Sequence, residues 1–324
     1  MHTEDKHMIN DQVCVGIPTY QPNIEKLMKT INSVIDQDYK NISIIISENS
    51  PKNNKVKDLV ESFKQEKINI EYFGQDKFLP QVENWDFCFN VSRSEYTTIL
   101  GDDDLLSNNY ISSSLKKLQS DKKYIGVSAK WQHISENGKY LNEDKGFFYE
   151  DEKSYTRIKK FLLNEEDTYV NGIWRTEKIK KFGFKKSIFY YWWPNNNVIQ
   201  QLFTQFLFTC ILNGKGYFNK DAIYFHTMAD GRRGFKADFN EGNRHKKNTY
   251  GITFFNFFKT SIFGYLRHFN LWFNYLRLTV RHDLKFFPIY LFYILITYLY
   301  AEYRYTRKIL RKLKNYLFKK ERLY

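Results

Sequence analysis

The sequence predicts an α/β fold with a doubly wound, mainly parallel sheet, followed by a helical tail rich in aromatic and basic residues. Apolar strand-like runs and amphipathic helical runs alternate between residues 13 and 100, and polar loops follow the strands directly. The net charge is +14, and +11 of it lies in residues 251–324, where 14 Lys or Arg accompany 3 Asp or Glu. A chain of 324 residues can bury such a core without disulfides or structural metals.

Four strands and three helices are predicted in the first third of the chain. The strands are short apolar runs at residues 13–17, 42–46, 68–73 and 96–100. The helices have apolar residues at helical spacing, at residues 24–35, 55–65 and 82–91. Asn23 is the expected N-cap of the first helix. Strands that alternate with helices in this way are typical of a parallel sheet.

The next part of the chain continues the same pattern more loosely. A helix over Asn108–Gln119 is predicted, with Ser107 as its N-cap. The later predicted elements are a strand at 124–129, a hairpin turn at 136–139, helices at 176–182 and 198–213, and a strand at 217–226.

The cysteines and the N-terminus indicate a cytosolic protein. Cys14, Cys88 and Cys210 lie far apart in apolar stretches and form no CxxC pair, which favours buried thiols over a disulfide or a zinc site. The segment Met1–Lys6 is polar and contains no apolar run, so no secretory signal is expected.

Polar residues follow three of the predicted strands at once. Pro18-Thr19-Tyr20 follows the first strand, Glu48-Asn49 the second and Asp102-Asp103-Asp104 the fourth. Because ligands of open parallel sheets bind beyond the carboxyl ends of the strands, these loops are expected to form one site.

The run Gly101-Asp102-Asp103-Asp104 is the strongest chemical signal in the sequence. Three adjacent carboxylates repel one another unless a positive charge lies among them, and Mg²⁺ or Mn²⁺ prefers carboxylate oxygens while keeping positions for diphosphate oxygens. Asp102 and Asp104 alternate along the chain and can face one ligand. The alternative is a solvated acidic turn that caps the next helix.

In their order and spacing these motifs resemble the family 2 glycosyltransferases of the GT-A fold, of the kind that makes bacterial surface polysaccharides. The resemblance is good over 12–115 and loose over 116–230. The matching segments are Val15–Tyr20, Ile45–Ser50, Asn84-Trp85 and Glu95–Asp104.

The resemblance implies an inverting transfer from a nucleoside-diphosphate sugar, with a UDP-sugar favoured and Mn²⁺ or Mg²⁺ as cofactor. Asp104 would be the direct metal ligand, Asp102 would hold the ribose or a metal-bound water, and His226 would complete the metal shell. Glu48 stands where the family usually has an aspartate that contacts the base or the ribose. The implied donor-binding residues are Pro18, Thr19, Tyr20, Glu48, Asp102, Asp103, Arg232 and Arg233.

The general base is the weak part of the resemblance. The family usually places an acidic residue just before the helix that begins here near Val198, but residues 191–197 contain no carboxylate. Asp167 and Asp103 are the candidates, and for Asp167 the alternative is a solvated acidic loop. Trp192, Trp193 and Asn195 are predicted to line the acceptor side, although the two tryptophans are also compatible with core packing.

The basic tail is predicted to lie on a membrane. Phe286–Ala301 has no charge over 16 residues, which is short of the ~20 that span a bilayer. Farther on, one helix face is apolar and the other basic, the pattern of a helix on an anionic lipid surface. The apolar set is Ile309, Leu310, Leu313, Tyr316 and Leu317, and the basic set is Arg304, Arg307, Lys308, Arg311 and Lys314. A packed subdomain or an oligomer interface is the alternative, and no nucleic-acid partner is expected.

The sequence therefore predicts a GT-A domain over 1–235, with a donor half at 12–115 and an acceptor half at 116–235, and a membrane-associating tail over 236–324. Its expected acceptor is a glycan or lipid-linked saccharide at the cytoplasmic membrane face. Two rivals remain. A nucleotidyltransferase would need a Gly- and Lys-rich loop after the first strand, which is absent, whereas a catalytically silent glycan-binding or scaffold module would need no base.

Overall fold

A single mixed sheet organises the protein. The structure is a computed structural model that describes residues 8–144, 146, 148–164, 171–182, 196–228, 269, 271–280, 282 and 284–320. Within these ranges nine strands form one sheet, and helices pack on both of its faces. This arrangement confirms the predicted α/β fold class.

The strands are ordered β3-β2-β1-β4-β8-β6-β9-β5, and β7 pairs with β6 outside this path. Their bounds are β1 Ile9–Thr19, β2 Ile42–Asn49, β3 Ile70–Gln75, β4 Ser94–Ile99, β5 Leu105–Leu106, β6 Tyr124–Ser135, β7 Tyr140–Glu143, β8 Ile173–Arg175 and β9 Lys215–Met228. The four strands β3, β2, β1 and β4 are mutually parallel, as the alternation of strands and helices predicts.

The six helices predicted between residues 24 and 213 are present, with ends within two residues of the expected ones, and α5 was not predicted. The helix bounds are α1 Ile24–Ile35, α2 Lys55–Gln65, α3 Gln81–Val91, α4 Tyr110–Ser120, α5 Ser154–Asn164, α6 Thr176–Phe182, α7 Asn196–Asn213 and α8 Phe287–Lys320. The Asn23 cap is confirmed, since its side chain accepts the Lys26 backbone N–H at 3.2 Å. The Ser107 cap was wrong, because Ser107 bonds twice to the Ile223 backbone and α4 begins after Asn109.

The second half of the sheet is built differently from the first. Strand β8 runs antiparallel to both β4 and β6, whereas β6 and β9 are parallel neighbours with Trp131 opposite Tyr224 and His133 opposite His226. The short strand β5 directly follows the acidic motif and pairs antiparallel with β9. These pairings bring the end of β9 beside the end of β4.

Two apolar layers cover the faces of the sheet. Alternate residues of β1 point to opposite sides, so that Val15 packs with α1, α2 and α4, while Cys14 packs with α3, α6 and α7. All three cysteines are buried and free, as predicted.

The described part of the tail joins the second of these layers. The Tyr275 ring stacks on Phe208 of α7 at 4.1 Å, and the Tyr290 hydroxyl of α8 hydrogen-bonds the Ser154 hydroxyl of α5. Tyr275, Tyr290 and Ile294 are each at most 1% exposed. The predicted boundary at residue 235 lies outside the described residues and stays a prediction.

Among the described residues, one helical stretch is long and apolar enough to cross a membrane by length and composition. It covers the 21 residues Leu284–Arg304, and 18% of its most apolar window is buried inside the fold. This stretch contains the uncharged run of 16 residues, Phe286–Ala301, and adds five residues at its ends, of which Lys285, Glu302 and Arg304 are charged.

Candidate active site

A cavity of about 430 Å³ lies at the carboxyl ends of β1 and β4, beside the end of β9. It brings together most of the predicted donor and metal residues, as expected for parallel strands that end at one edge. The predicted residues that line it are Pro18, Thr19, Tyr20, Asp102, Asp103, Asp104 and His226.

The acidic motif forms a tight turn that folds back on itself. The Asp104 backbone N–H donates to the Gly101 carbonyl at 3.2 Å. A Cβ atom added to Gly101 would lie 2.4 Å from Asp104 Oδ2, so only glycine allows the Asp104 carboxylate to approach the backbone this closely.

Asp104 is the best-anchored carboxylate of the motif. It is 5% exposed, and its Oδ2 accepts the Tyr224 hydroxyl at 2.7 Å. Its Oδ1 accepts the Thr227 backbone N–H at 2.8 Å and lies 3.1 Å from His226 Nδ1. Three groups of β9, from Tyr224, His226 and Thr227, therefore fix this side chain in the cavity.

The other two aspartates, Asp102 and Asp103, have raised pKa values. Asp102 Oδ2 accepts the Thr19 hydroxyl, and burial raises the pKa of Asp102. Burial, followed by repulsion from Asp104 and Asp102, raises the pKa of Asp103 to about 7. Because both effects disfavour negative charge, the turn favours a cation beside it.

The residues of this turn fit a hard divalent cation that is only partly held by protein. Over the ranges that the structure describes, no three His, Cys, Asp or Glu side chains converge into a metal-binding group. Asp104 Oδ1 lies 3.1 Å from His226 Nδ1. Asp103 faces the cavity, where the carboxylates of Asp104 and Asp102 repel its negative charge. Mg²⁺ is usually held by one or two carboxylates, with water and phosphate oxygens as the remaining ligands.

Tyr224 is a residue of the candidate site that the sequence analysis missed. Its hydroxyl donates to Asp104, and it accepts the Gly101 backbone N–H and the Asn171 amide, each at 3.0 Å. The Trp131 ring stacks on it at 4.7 Å and fixes its plane. Tyr224 lies two residues before His226 on one strand, so the period of two already places both on one face.

Asn171 and Trp131 also line the cavity without having been predicted. Asn171 links β4 to Tyr224, because its amide also donates to the Ile99 carbonyl at 3.2 Å. Trp131 was missed because the strand predicted at 124–129 ended too early, whereas β6 continues to Ser135.

An aromatic pair forms the rim of the cavity. Tyr20 and Phe78 are 53% and 61% exposed, and their ring centroids are 5.5 Å apart, edge to face. The loop that carries Phe78 is braced by Asn49, whose amide donates to the Leu79 carbonyl at 2.5 Å and whose oxygen accepts the Leu79 N–H at 2.8 Å. Exposed rings held in this way can pack against a flat ligand.

Glu48 is separated from the other predicted residues. It lies opposite Thr19 on β2, but it lines a second cavity of about 470 Å³ together with Lys52 and Lys55. Its carboxylate accepts the Tyr72 hydroxyl at 2.7 Å, and burial raises its pKa.

The remaining predicted residues lie outside the described ranges, and their roles stay predictions. They are the candidate base Asp167, the acceptor-side residues Trp192, Trp193 and Asn195, and the phosphate-loop residues Arg232 and Arg233.

Comparison with known proteins agrees with this geometry. The chain is 25% identical over 170 residues to the uncharacterized glycosyltransferase MJ1057 of Methanocaldococcus jannaschii, which covers 52% of this chain and 57% of that relative. The fold is similar to S. aureus TarS 1–349, with a TM-score of 0.56 at 15% identity, covering 94% of this chain and 91% of that one. TarS 1–349 in complex with UDP-GlcNAc gives a TM-score of 0.53 at 15% identity, with 87% and 79% covered.

The family assignment rests on sequence. The model of Glycosyl transferase family 2 matches residues 14–181, which is over half of the chain and contains β2, β3, β4, most of β1 and the acidic turn. This chain therefore belongs to glycosyl transferase family 2.

Proposed function

We propose that the protein transfers a sugar from a UDP-sugar to a glycan or lipid-linked saccharide, with inversion at the anomeric carbon and with Mn²⁺ or Mg²⁺ as cofactor. The observation that carries the donor assignment is the contact between Thr19 and Asp102, which joins the β1 loop to the acidic turn in one cavity. The complex of TarS with UDP-GlcNAc, a protein of the same fold, supports a nucleotide sugar as donor.

Within this proposal different residues bind different parts of the donor. Pro18, Thr19 and Tyr20 border the nucleoside, and Asp102 accepts a hydrogen bond from a ribose hydroxyl or a metal-bound water. Asp104 and His226 would hold the cation, and when bound it would supply a Lewis acid for the charge that grows on the departing diphosphate. Arg232 and Arg233 would bind the phosphate oxygens.

The acceptor hydroxyl must lose a proton as it attacks the anomeric carbon from the opposite side, which requires a base near the cavity. The carboxylates among the described residues that line it are Asp102, Asp103 and Asp104. Asp103 is an implied donor-binding residue that also faces the cavity, and it is a candidate base beside Asp167.

The proposed location is peripheral, on the inner face of the cell membrane. The net charge of +11 after residue 250 supports attraction to anionic lipids, and the apolar stretch Leu284–Arg304 supports contact with the bilayer.

A thermal-shift panel tests the donor and the metal together. UDP and UDP-sugars should raise the melting temperature more with Mn²⁺ than without it, and more than ADP- or GDP-sugars, because a ligand of the native state stabilises by mass action. Incubation with the preferred UDP-sugar should then release UDP in a metal-dependent manner. Donor binding without any UDP release, even with cell-derived glycolipids, would instead favour a catalytically silent module.

A further inference from the structure

Helix α8 has two faces with different surroundings. Tyr290, Ile294 and Thr297 lie on one face, are at most 7% exposed and pack towards α5. The Lys159 ammonium of α5 lies 5.1 Å from the centre of the neighbouring Tyr293 ring. This face is therefore occupied by the catalytic domain itself.

The opposite face of α8 is apolar and exposed. Its residues are related by spacings of three, four and seven positions, which place them on one side of the helix, so they form one stripe. We call this the α8 stripe: Phe292, Leu295, Ile296, Leu299 and Tyr303. Each is between 45% and 58% exposed, and such a contiguous apolar patch on a protein surface marks an interaction site.

The charges beside the stripe are almost all of one sign. Residues 284–320 contain nine Lys or Arg and a single acid, Glu302. Lys285 is exposed before the stripe begins, and Arg304 and Arg307 lie against the rings of Tyr300 and Tyr303 at 5.8 and 5.7 Å. Basic side chains that flank aromatic and aliphatic ones suit a surface that is both negatively charged and apolar beneath.

We propose that the α8 stripe lies in the surface of an anionic lipid bilayer and holds the catalytic domain against it. The inference rests on the proposed peripheral location and deepens it, because it names the helix face that meets the lipid and the face that stays on the domain. The buried face distinguishes this arrangement from a membrane span, since a span would remove Tyr290 and Ile294 from their contacts with the domain. The charge also favours lipid over a second copy, because two such basic surfaces repel each other.

Vesicle sedimentation with the full-length protein tests the proposal. Wild-type protein should bind vesicles that contain phosphatidylglycerol and bind vesicles of pure phosphatidylcholine at least tenfold more weakly. The double variant Leu295→Asp/Leu299→Asp puts two negative charges into the stripe and should lower binding to the anionic vesicles at least tenfold. The control Leu141→Asp makes one such Leu→Asp change at an exposed position of β7 and should bind as wild type.

Two further measurements make each outcome decisive. The shift in melting temperature caused by UDP with Mn²⁺ should be the same in the double variant and in wild type, which separates failed membrane contact from a failed donor site or a misfolded protein. Equal vesicle binding by the double variant and the control would overturn the proposal. So would light scattering that shows a wild-type dimer converted to a monomer by the double variant, because the stripe would then be an interface between two copies.

Discussion

Asp103 and Asp104 are neighbours in the chain, yet the protein treats them in opposite ways. Asp104 is held by the Tyr224 hydroxyl and the Thr227 N–H, with His226 beside it. Asp103 faces the cavity, where burial and two adjacent carboxylates raise its pKa to about 7. Asp104 is thus held in place by hydrogen bonds, whereas Asp103 has a carboxylate whose negative charge would be stabilised by a positively charged ligand.

This difference indicates that contacts from β9, and not only the local sequence of the turn, determine the conformation of the acidic turn. Gly101, Asn171 and Asp104 all meet at the Tyr224 hydroxyl, so the position of the Asp104 carboxylate and of the start of the turn depends on one phenol. An isolated acidic turn has no such partners.

The largest effect is expected from Asp104→Asn. The amide lacks the negative charge that the three groups of β9 surround, and it is a poorer ligand for a hard cation. Sugar transfer should fall more than about a hundredfold, and the Mn²⁺-dependent part of the UDP thermal shift should be lost. The control Asp58→Asn changes an exposed aspartate of α2 and should leave both unchanged. Full activity in Asp104→Asn would remove Asp104 from the site.

The next largest effect is expected from Tyr224→Phe. Loss of the hydroxyl removes a donor from Asp104 and leaves two N–H donors without their acceptor, at a cost of about 1–3 kcal/mol of stability for such a group. Activity should fall about 10–100-fold, with weaker Mn²⁺ binding by calorimetry.

Tyr110→Phe is the matched control for Tyr224→Phe. Tyr110 is also fully buried, but its hydroxyl donates to the Asn171 carbonyl at 2.6 Å and does not touch the acidic turn. It should lose stability while keeping the affinity for Mn²⁺. Equal loss of Mn²⁺ affinity in both variants would show that Tyr224 acts through general stability alone.

A smaller effect, with a definite sign, is expected from Asp103→Asn in the absence of divalent metal. The folded-state pKa of about 7 is above the ordinary value of 3.8, so the contribution of Asp103 to the free energy of unfolding is fully present below pH 3.8 and is lost as the pH rises through 7. Asn carries no such penalty. The melting temperature of Asp103→Asn relative to wild type should therefore increase between pH 5 and pH 8, and adding Mn²⁺ should reduce the difference. If the difference in melting temperature between the two proteins does not depend on pH, the raised pKa of Asp103 would be contradicted.

The smallest effect is expected from Tyr72→Phe, which tests whether Glu48 belongs with the acidic turn. The variant removes the hydrogen bond to the Glu48 carboxylate in the second cavity but touches nothing in the first. If Glu48 contacts the nucleotide, KM for the UDP-sugar should rise a few-fold while kcat stays the same. An unchanged KM would leave Glu48 as a structural group of the second cavity.

The sequence predicted the local parts of this molecule well. The bounds of α2 and α6 and the Asn23 cap depend on nearby residues, and the structure confirms them. The convergence of Thr19 with the acidic turn was also predictable, because it follows from parallel strands that end at one edge.

Features that depend on distant pairing were not predictable in the same way. The Ser107 cap failed because Ser107 pairs with Ile223, more than a hundred residues later. Asn171 reaches Tyr224 only because β8 inserts between β4 and β6 in antiparallel orientation. Nothing in the spacing of these residues along the chain indicates that contact.

The stacking of Tyr275 on Phe208 has a consequence for how the enzyme responds to its surroundings. Because residues of the tail and of α7 share one core, the two parts should melt as one cooperative unit. Whatever binds the tail then adds its binding free energy to the stability of the whole chain. A protein built in this way would be more resistant to heat and proteolysis when its tail is bound than when the tail is free.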